Sequence, residues 1–220
     1  MSSHHVVREK QEPALIIANG ASCSWETLGQ MLEWSPYVMV LDGAVRRVLE
    51  MGIHFDAVLG DMDSVKGLDE LKAARPELEI LHRPNQDKTD LQKAMDELVA
   101  REFPAVNIAW ATGRRMDHTL NNIVSLAAYA GRIDWRLVDD YGLAYVMPRE
   151  FKKQFVVGSA ISLFGIPSAG GIVSKNLKYE LDNTCLALPG SGSSNEPFEN
   201  GLVEISYKEG CLVLMECWDL

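Results

Sequence analysis

The chain has 220 residues, of which 47% are hydrophobic and 24% charged, and its formal net charge is −10. This composition is typical of a soluble globular protein, and the acidic balance excludes sequence-independent nucleic-acid binding, which needs a basic surface. No apolar run is long enough to span a bilayer, and residues 1–13 lack the apolar core of a signal peptide. We therefore expect a cytoplasmic protein that binds neither a membrane nor nucleic acid.

The first 140 residues alternate between short apolar runs and stretches with helical spacing. The predicted strands are 14–18, 37–41, 55–59, 79–81, 106–110 and 135–138. Helices are predicted after Ser24, over 44–51, after the third strand, from a cap at Thr89 or Asp87, and after Asp117. Strands that alternate with helices predict an open, mostly parallel sheet with helices on both faces.

The apolar faces of two of these helices can be read from the sequence. Leu91, Ala94, Met95 and Leu98 mark the inward face of the helix that begins near Thr89. In the helix after Asp117, we expect the apolar residues to point inward; they are Leu120, Ile123, Val124 and Ala127.

The pattern changes near residue 140. The remaining apolar stretches are short, strand-like and separated by Gly, Pro, Ser and Asn; they are 144–147, 155–157, 161–164, 172–173, 186–188, 202–206 and 211–216. Such a pattern is typical of an antiparallel sandwich or barrel. We predict an α/β domain over 1–140 and an all-β domain over 141–220.

Acidic residues follow the predicted strands or begin a helix in the first domain. They are Asp42, Asp61, Asp63, Asp87, Asp90 and Asp117. Because the carboxyl ends of the strands lie along one edge of such a sheet, these carboxylates can converge there. Two of them, Asp61 and Asp63, stand directly after one buried strand, and Mg²⁺ usually takes one or two carboxylates plus substrate phosphates. The alternative is that Asp simply favours caps and turns.

A second group of polar residues follows the fifth strand. Gly113, Arg114 and Arg115 can bring backbone N–H groups and a guanidinium to a phosphate. His118, beside Asp117, is a base, a capping residue or a packing residue. Because the chain lacks the glycine-rich fingerprints of P-loop and dinucleotide-binding proteins, nucleotide binding would have to use another arrangement.

Taken in order, these segments resemble the thiamine pyrophosphokinase (thiamine diphosphokinase) family. The segments that carry the resemblance are Asp42-Gly43-Ala44-Val45-Arg46, Gly60-Asp61-Met62-Asp63-Ser64, Asp87-Lys88-Thr89-Asp90, Gly113-Arg114-Arg115-Met116-Asp117-His118, Asn176-Leu177-Lys178-Tyr179 and Ser193-Ser194-Asn195-Glu196. Gln86 also matches a polar position in related enzymes. The first segment departs from the family pattern because it lacks a second Gly and an Asn, and Tyr179 stands where many relatives have Trp.

The resemblance implies an α/β domain, a β-sandwich domain and a homodimer with its active site at the subunit interface. It also implies transfer of a pyrophosphoryl group from ATP to the thiamine hydroxyl, with Mg²⁺, giving thiamine diphosphate and AMP. The implied Mg²⁺ ligands are Asp61, Asp63 and Asp90, and the implied catalytic residues are these three and Asp117. The implied ATP and phosphate contacts are Asp42, Gln86, Asp87, Arg115 and His118, and the implied thiamine contacts are Tyr179, Ser194 and Asn195.

Three other functions stay open at this stage. The chain could be a related pyrophosphokinase that acts on another alcohol, such as a hydroxymethyl pterin. It could be a non-catalytic sensor that binds thiamine or a nucleotide, or a purely structural α/β protein.

Overall fold

The computed structural model describes residues 13–190 and 192–218. The polar N-terminal segment and Ser191 lie outside these ranges. The chain divides after Asp139 into two compact units. None of the described helices is long and apolar enough to cross a membrane.

From residue 13 onward, the first unit is built on a parallel sheet of six strands. They are β1 (Ala14–Ile17), β2 (Tyr37–Leu41), β3 (Ala57–Gly60), β4 (Glu79–His82), β5 (Ala105–Ala109) and β6 (Asp134–Asp139). Every residue of β1, β3 and β5 is buried, as expected for parallel strands that are covered on both faces. The predicted parallel sheet with helices is confirmed, and the arrangement of the helices on its two faces stays a prediction.

In the part of the first unit that the structure describes, five helices connect these strands, and each begins close to its predicted position. They are α1 (Trp25–Leu32), α2 (Val45–Glu50), α3 (Leu68–Ala74), α4 (Asp90–Ala100) and α5 (Met116–Leu126). Short 3₁₀ turns, Asp42–Ala44 and Ala127–Tyr129, precede α2 and follow α5. The Ser24 side chain accepts a hydrogen bond from the backbone N–H of Thr27 and so caps α1.

The strand order places a crevice at one edge of this sheet. The order is β4-β3-β2-β1-β5-β6, so the chain moves outward from β1 to β4 and then returns to pair β5 with the other side of β1. In open parallel sheets, ligands bind outside the carboxyl ends of the strands where the order reverses. The ends of β1 and β5 are therefore the expected binding position in this unit.

The inward face of α4 is confirmed, whereas the prediction for α5 is wrong in part. Leu120 and Val124, which were predicted to point inward, are 64% and 41% exposed. Met116 on the same helix is 86% exposed. These three residues are spaced four apart and share one face of the helix. A periodic spacing of apolar residues identifies such a face. It does not indicate whether the face is buried by other residues of the same chain.

The described residues of the second unit form seven strands. They are β7 (Gly142–Val146), β8 (Glu150–Phe155), β9 (Ala160–Lys175), β10 (Thr184–Ala187), β11 (Ser193–Asn195), β12 (Gly201–Ser206) and β13 (Glu209–Cys217). The predicted all-β character of this half is confirmed, and its packing as a sandwich stays a prediction.

β9 is a single strand of 16 residues, so the prediction of two strands, 161–164 and 172–173, is wrong. It pairs antiparallel with β10, β11 and β13 in one sheet and with β12 in another. The sequence pattern predicts breaks at its glycines. At Gly165, however, a Cβ would lie 2.0 Å from the carbonyl oxygen of Leu186, so this glycine permits the close approach of β10.

Candidate active site

Three carboxylates converge at the carboxyl ends of β2 and β3. Asp42 follows β2 directly, and Asp61 and Asp63 follow β3. One carboxylate oxygen of each residue lies within 4.8 Å of the others. Asp42 is buried, at 6% exposure, whereas Asp63 is exposed. The cluster therefore opens from the edge of the sheet toward solvent.

The backbone around Gly60 is shaped to admit the carboxylate of Asp42. A Cβ at residue 60 would lie 2.4 Å from Cγ of Asp42, which explains why glycine ends β3. Met62 adopts a left-handed backbone conformation with φ of 65°, and its N–H donates to Oδ2 of Asp42 at 3.2 Å. Such conformations are unfavourable for residues other than glycine and concentrate at functional sites.

The pKa values of Asp42 and Asp61 are shifted in opposite directions. Burial, together with the negative charge of Asp90, raises the pKa of Asp42 to about 6. A hydrogen bond that Gln86 donates to Asp61 at 3.1 Å, with others from Asp63, lowers the pKa of Asp61 to about 2. Neighbouring carboxylates disfavour one another's ionisation, and a cation relieves this repulsion. A set of oxygen ligands left partly open suits Mg²⁺.

Asp90 begins α4 and does not belong to this close group. Thr89 and Gln92 form a capping box that fixes the start of the helix. Thr89 is therefore the N-cap, and it is one of the two residues predicted for that role. Oδ1 of Asp90 accepts a hydrogen bond from Nζ of Lys93 at 2.9 Å, and the Lys93 side chain is only 7% exposed. Sequence analysis missed Lys93, although its position three residues after Asp90 on a helix was the signal.

Arg115 and Asp117 pair with each other. Nε and Nη2 of Arg115 donate to the two carboxylate oxygens of Asp117 at 3.1 and 2.5 Å. The hydrogen bonds of this pair lower the pKa of Asp117. Both side chains are more than 60% exposed, so the pair is accessible to a ligand.

A cleft of about 450 Å³ joins these groups at the carboxyl edge of the sheet. The predicted residues that line it are Asp42, Asp61, Asp63, Gln86, Asp90, Arg115 and His118. Two predicted residues, Asp87 and Asp117, are not among its lining residues. Asn19, which follows β1 and was not assigned from the sequence, also lines it, as does Arg114, which follows β5 and was considered beside Arg115 as a phosphate contact.

The predicted thiamine contacts lie in the second unit. The Tyr179 side chain is 62% exposed, whereas Asn195 is buried. Nδ2 of Asn195 donates to the carbonyl of Tyr179 at 2.7 Å, and its Oδ1 accepts from the N–H of Tyr179 at 3.0 Å. Asn195 therefore fixes the backbone of Tyr179. Ser194 is exposed on β11, and its contact with a substrate stays a prediction.

Comparison with known families decides what kind of protein this is. The sequence pattern of the thiamin pyrophosphokinase catalytic domain matches residues 28–158, and that of the thiamin pyrophosphokinase vitamin B1 binding domain matches residues 149–212. The chain belongs to the thiamin pyrophosphokinase family. The predicted family and the predicted enzyme, a thiamine diphosphokinase, are confirmed. The alternatives, another alcohol or a non-catalytic sensor, are not favoured.

Solved structures of family members share the fold. The thiamine pyrophosphokinase from Bacillus subtilis superimposes with a TM-score of 0.77 and 24% identity, over 94% of this chain and 100% of that one. The enzyme from Candida albicans superimposes with a TM-score of 0.74 and 12% identity, over 94% of this chain and 90% of that one. For the yeast enzyme the TM-score is 0.73 and the identity 14%, over 95% of this chain and 87% of that one. A search among curated protein sequences found no match.

Proposed function

We propose that this chain transfers the pyrophosphoryl group of ATP to the hydroxyl of thiamine, at the cleft beside its acidic cluster. The observation that carries this proposal is the convergence of Asp42, Asp61 and Asp63 within 4.8 Å inside the segment that matches the family's catalytic domain. The thiamine hydroxyl oxygen forms a bond to the β-phosphorus, and the bond from that phosphorus to the oxygen of the α-phosphate breaks, releasing AMP.

The carboxylates are proposed to hold Mg²⁺. Asp61, Asp63 and Asp90 are the predicted ligands, and the position of Asp42 adds it to the set. A bound Mg²⁺ would neutralise phosphate charge, which is what phosphoryl-type transfer needs most. Gln86 then acts through Asp61, whose carboxylate it orients by a hydrogen bond.

Phosphate contact and proton transfer are assigned to residues at the starts of α4 and α5. Arg115 is proposed to bind phosphate oxygens through its planar fork. A carboxylate, either Asp90 at the start of α4 or Asp117 at the start of α5, accepts the proton of the hydroxyl. His118 lines the cleft and is proposed, with Asp87, to contact ATP.

Thiamine recognition is assigned to the second unit, which contains the match to the vitamin B1 binding domain. Tyr179 offers an exposed ring to the cationic substrate, by stacking and cation–π attraction. Asn195 holds the backbone that carries this ring, and Ser194 offers a hydroxyl.

The enzyme is proposed to work in the cytoplasm as a homodimer with its active site at the subunit interface. The exposed apolar stripe on α5, formed by Met116, Leu120 and Val124, supports this assembly. The stripe lies on the same helix as Asp117 and His118, so a partner that covers it would stand beside the site.

A product assay tests the proposed function. Purified protein is incubated with ATP, Mg²⁺ and thiamine, and the products are separated. Thiamine diphosphate with one AMP per product is the expected result. Thiamine monophosphate with ADP would overturn the pyrophosphoryl transfer, and the absence of any thiamine phosphate would overturn the function. Replacing thiamine by a hydroxymethyl pterin serves as the control for substrate class.

A further inference from the structure

Two arginines share one hydrogen-bond acceptor at the carboxyl edge of the first unit's sheet. Nη2 of Arg47 donates to Oδ1 of Asn19 at 3.0 Å, and Nη1 of Arg114 approaches the same oxygen at 3.4 Å. Arg114 also reaches the carbonyl oxygen of Asn19 at 3.5 Å. The two bonds of Arg114 are long, so its guanidinium is free to exchange them for a stronger acceptor.

Arg47 is held firmly in place. Its Nη1 donates to Oγ of Ser22 at 2.9 Å, and its guanidinium lies 4.6 Å from the centre of the Trp110 ring. Trp110 is fully buried. Nε of Arg47 is also buried and has no hydrogen-bond partner among the described residues. Among those residues, neither Arg47 nor Arg114 forms an ion pair with a carboxylate.

The pair is electrostatically unfavourable as it stands. Burial and the positive charge of Arg114 lower the pKa of Arg47. Like charges that are held together without a counterion oppose one another, and an anion between them removes this cost. The backbone is also strained here, with φ of 57° at Trp110 and 55° at Arg114. Strain of this kind persists where the surrounding structure enforces it, often at functional sites.

The position of the pair matches one end of the cleft. Asn19 follows β1, and Arg114 follows β5, where the strand order reverses. Asn19 and Arg114 line the cleft that contains the carboxylate cluster, whereas Arg47 is not among its lining residues and is joined to it through its hydrogen bond to Asn19. Asp61 follows β3, which is two strands away from β1, or about 10 Å at the usual strand spacing. The cleft therefore has a carboxylate end, where β3 stops, and a cationic end, where β1 and β5 stop.

We propose that Arg114 binds a phosphate group of the nucleotide at the cationic end of the cleft, and that Arg47 positions Asn19 beside it and adds positive charge. The planar fork of the Arg114 guanidinium matches the oxygens of a phosphate. This assignment rests on the proposed function for the identity of the ligand as a nucleotide. It adds a contact for the phosphate chain that is distinct from the carboxylate cluster and from the Arg115–Asp117 pair.

Calorimetric titration with MgATP in the absence of thiamine tests the proposal without turnover. Arg114→Gly removes one fork and places glycine at a left-handed position, so the fold is not put at risk. The Kd for MgATP should rise about tenfold, as for the loss of a charge-assisted hydrogen bond. The Kd for thiamine, titrated alone, should not change. Arg47→Lys, which keeps the charge but cannot make both hydrogen bonds to Ser22 and Asn19, should weaken MgATP binding in the same direction.

Arg46→Ala is the matched control. Arg46 precedes Arg47 on α2, but its side chain is 90% exposed and pairs with Glu50, so MgATP binding should stay at the wild-type level. An unchanged Kd for MgATP in Arg114→Gly would overturn the proposal, as would an equal loss in Arg46→Ala. A wild-type protein that binds MgATP but forms no thiamine diphosphate would overturn the proposed function alone. A wild-type protein that does not bind MgATP would overturn both.

Discussion

Glycine at position 60 is a steric requirement of the acidic cluster. Since a Cβ there would lie 2.4 Å from Cγ of Asp42, Gly60→Ala must displace either that carboxylate or the end of β3. We expect kcat for thiamine diphosphate formation to fall at least about tenfold, because misplacing a group near the chemistry is costly. Steady-state kinetics over a range of Mg²⁺ concentrations checks this.

Gly29→Ala is the matched control for this substitution. A Cβ at Gly29, inside α1, would meet no atom within 4 Å, and alanine favours a helix over glycine. That variant should keep full activity and gain stability. Wild-type kinetics in Gly60→Ala would show that the placement of Asp42 is not needed.

Asp63 is the exposed member of the cluster and the simplest to replace. Asp63→Asn keeps the shape but removes the charge that a divalent cation needs. Turnover should fall by at least about a hundredfold, since replacing residues that only support metal ligands already lowers metal affinity or activity by about 10–100-fold. Activity and circular dichroism are measured together, with Asp69→Asn, an exposed acidic residue of α3, as the charge-matched control. Near-normal activity would remove Asp63 from the metal site.

The sequence placed these residues at one edge, but it did not assign their partners. The edge followed from the rule that the carboxyl ends of parallel strands meet. The partners depend on side-chain directions: Asp42, not Asp90, joins Asp61 and Asp63, while Asp90 faces Lys93. The Arg47–Asn19 contact joins residues 28 apart in the chain, and local spacing carries no signal for it.

The helix α4 starts with a capping box. Thr89 and Gln92 each accept a hydrogen bond from the other's backbone N–H. Thr89→Ala should lower the free energy of unfolding by about 1 kcal/mol, the usual cost of losing such a cap. Chemical denaturation measures this, and Thr89→Ser, which keeps the hydroxyl, should be close to wild type. Equal stability of the alanine variant would show that the cap contributes nothing.

Arg101, at the end of α4, ties this helix to the sheet. Its guanidinium donates to Glu79 on β4 at 2.7 Å and to Tyr37 on β2 at 3.0 Å. The hydrogen bond from Arg101 lowers the pKa of Glu79 below its ordinary value of 4.5. The resulting stabilisation is therefore present above that value and is lost as the pH falls through the lowered one.

Glu79→Gln should reveal this dependence. At pH 7 the variant should be less stable by up to about 1 kcal/mol, because the pair is partly exposed and screened by solvent. The difference should vanish at acidic pH, where the wild-type carboxyl is also neutral. Urea denaturation at several pH values measures it, and a difference that persists at the acid end would contradict the assignment.

The elements of the first unit were easier to predict than those of the second. Caps, buried strands and helical spacing mark the former directly. In the second unit, β8 alternates exposed and half-buried residues and contains a polar Lys-Lys-Gln run. Sequence analysis therefore predicts a strand only at 155–157 and not over the whole of β8. The glycines of β9 serve close contacts between strands, which a sequence pattern cannot distinguish from turns.

At the scale of the whole molecule, the exposed stripe on α5 is the feature that points beyond one chain. Leu120→Glu, in the centre of the stripe, should convert the proposed dimer to a monomer and lower its activity, because a buried charge opposes association. Light scattering coupled to size exclusion measures the mass. Leu49→Glu, the same change on α2 where Leu49 is 39% exposed, should leave the mass unchanged. A monomeric wild type, or a dimeric Leu120→Glu variant, would contradict the prediction.

The long strand β9 has a consequence for how the second unit loses its structure. β9 pairs with β13 over residues 160–170 in one sheet and with β12 over residues 173–175 in the other, so one continuous strand is shared by both sheets. We expect this shared strand to couple the loss of structure in the two sheets. Asn195, which lies on β11 and pairs with the first part of β9, should lose its order together with that part.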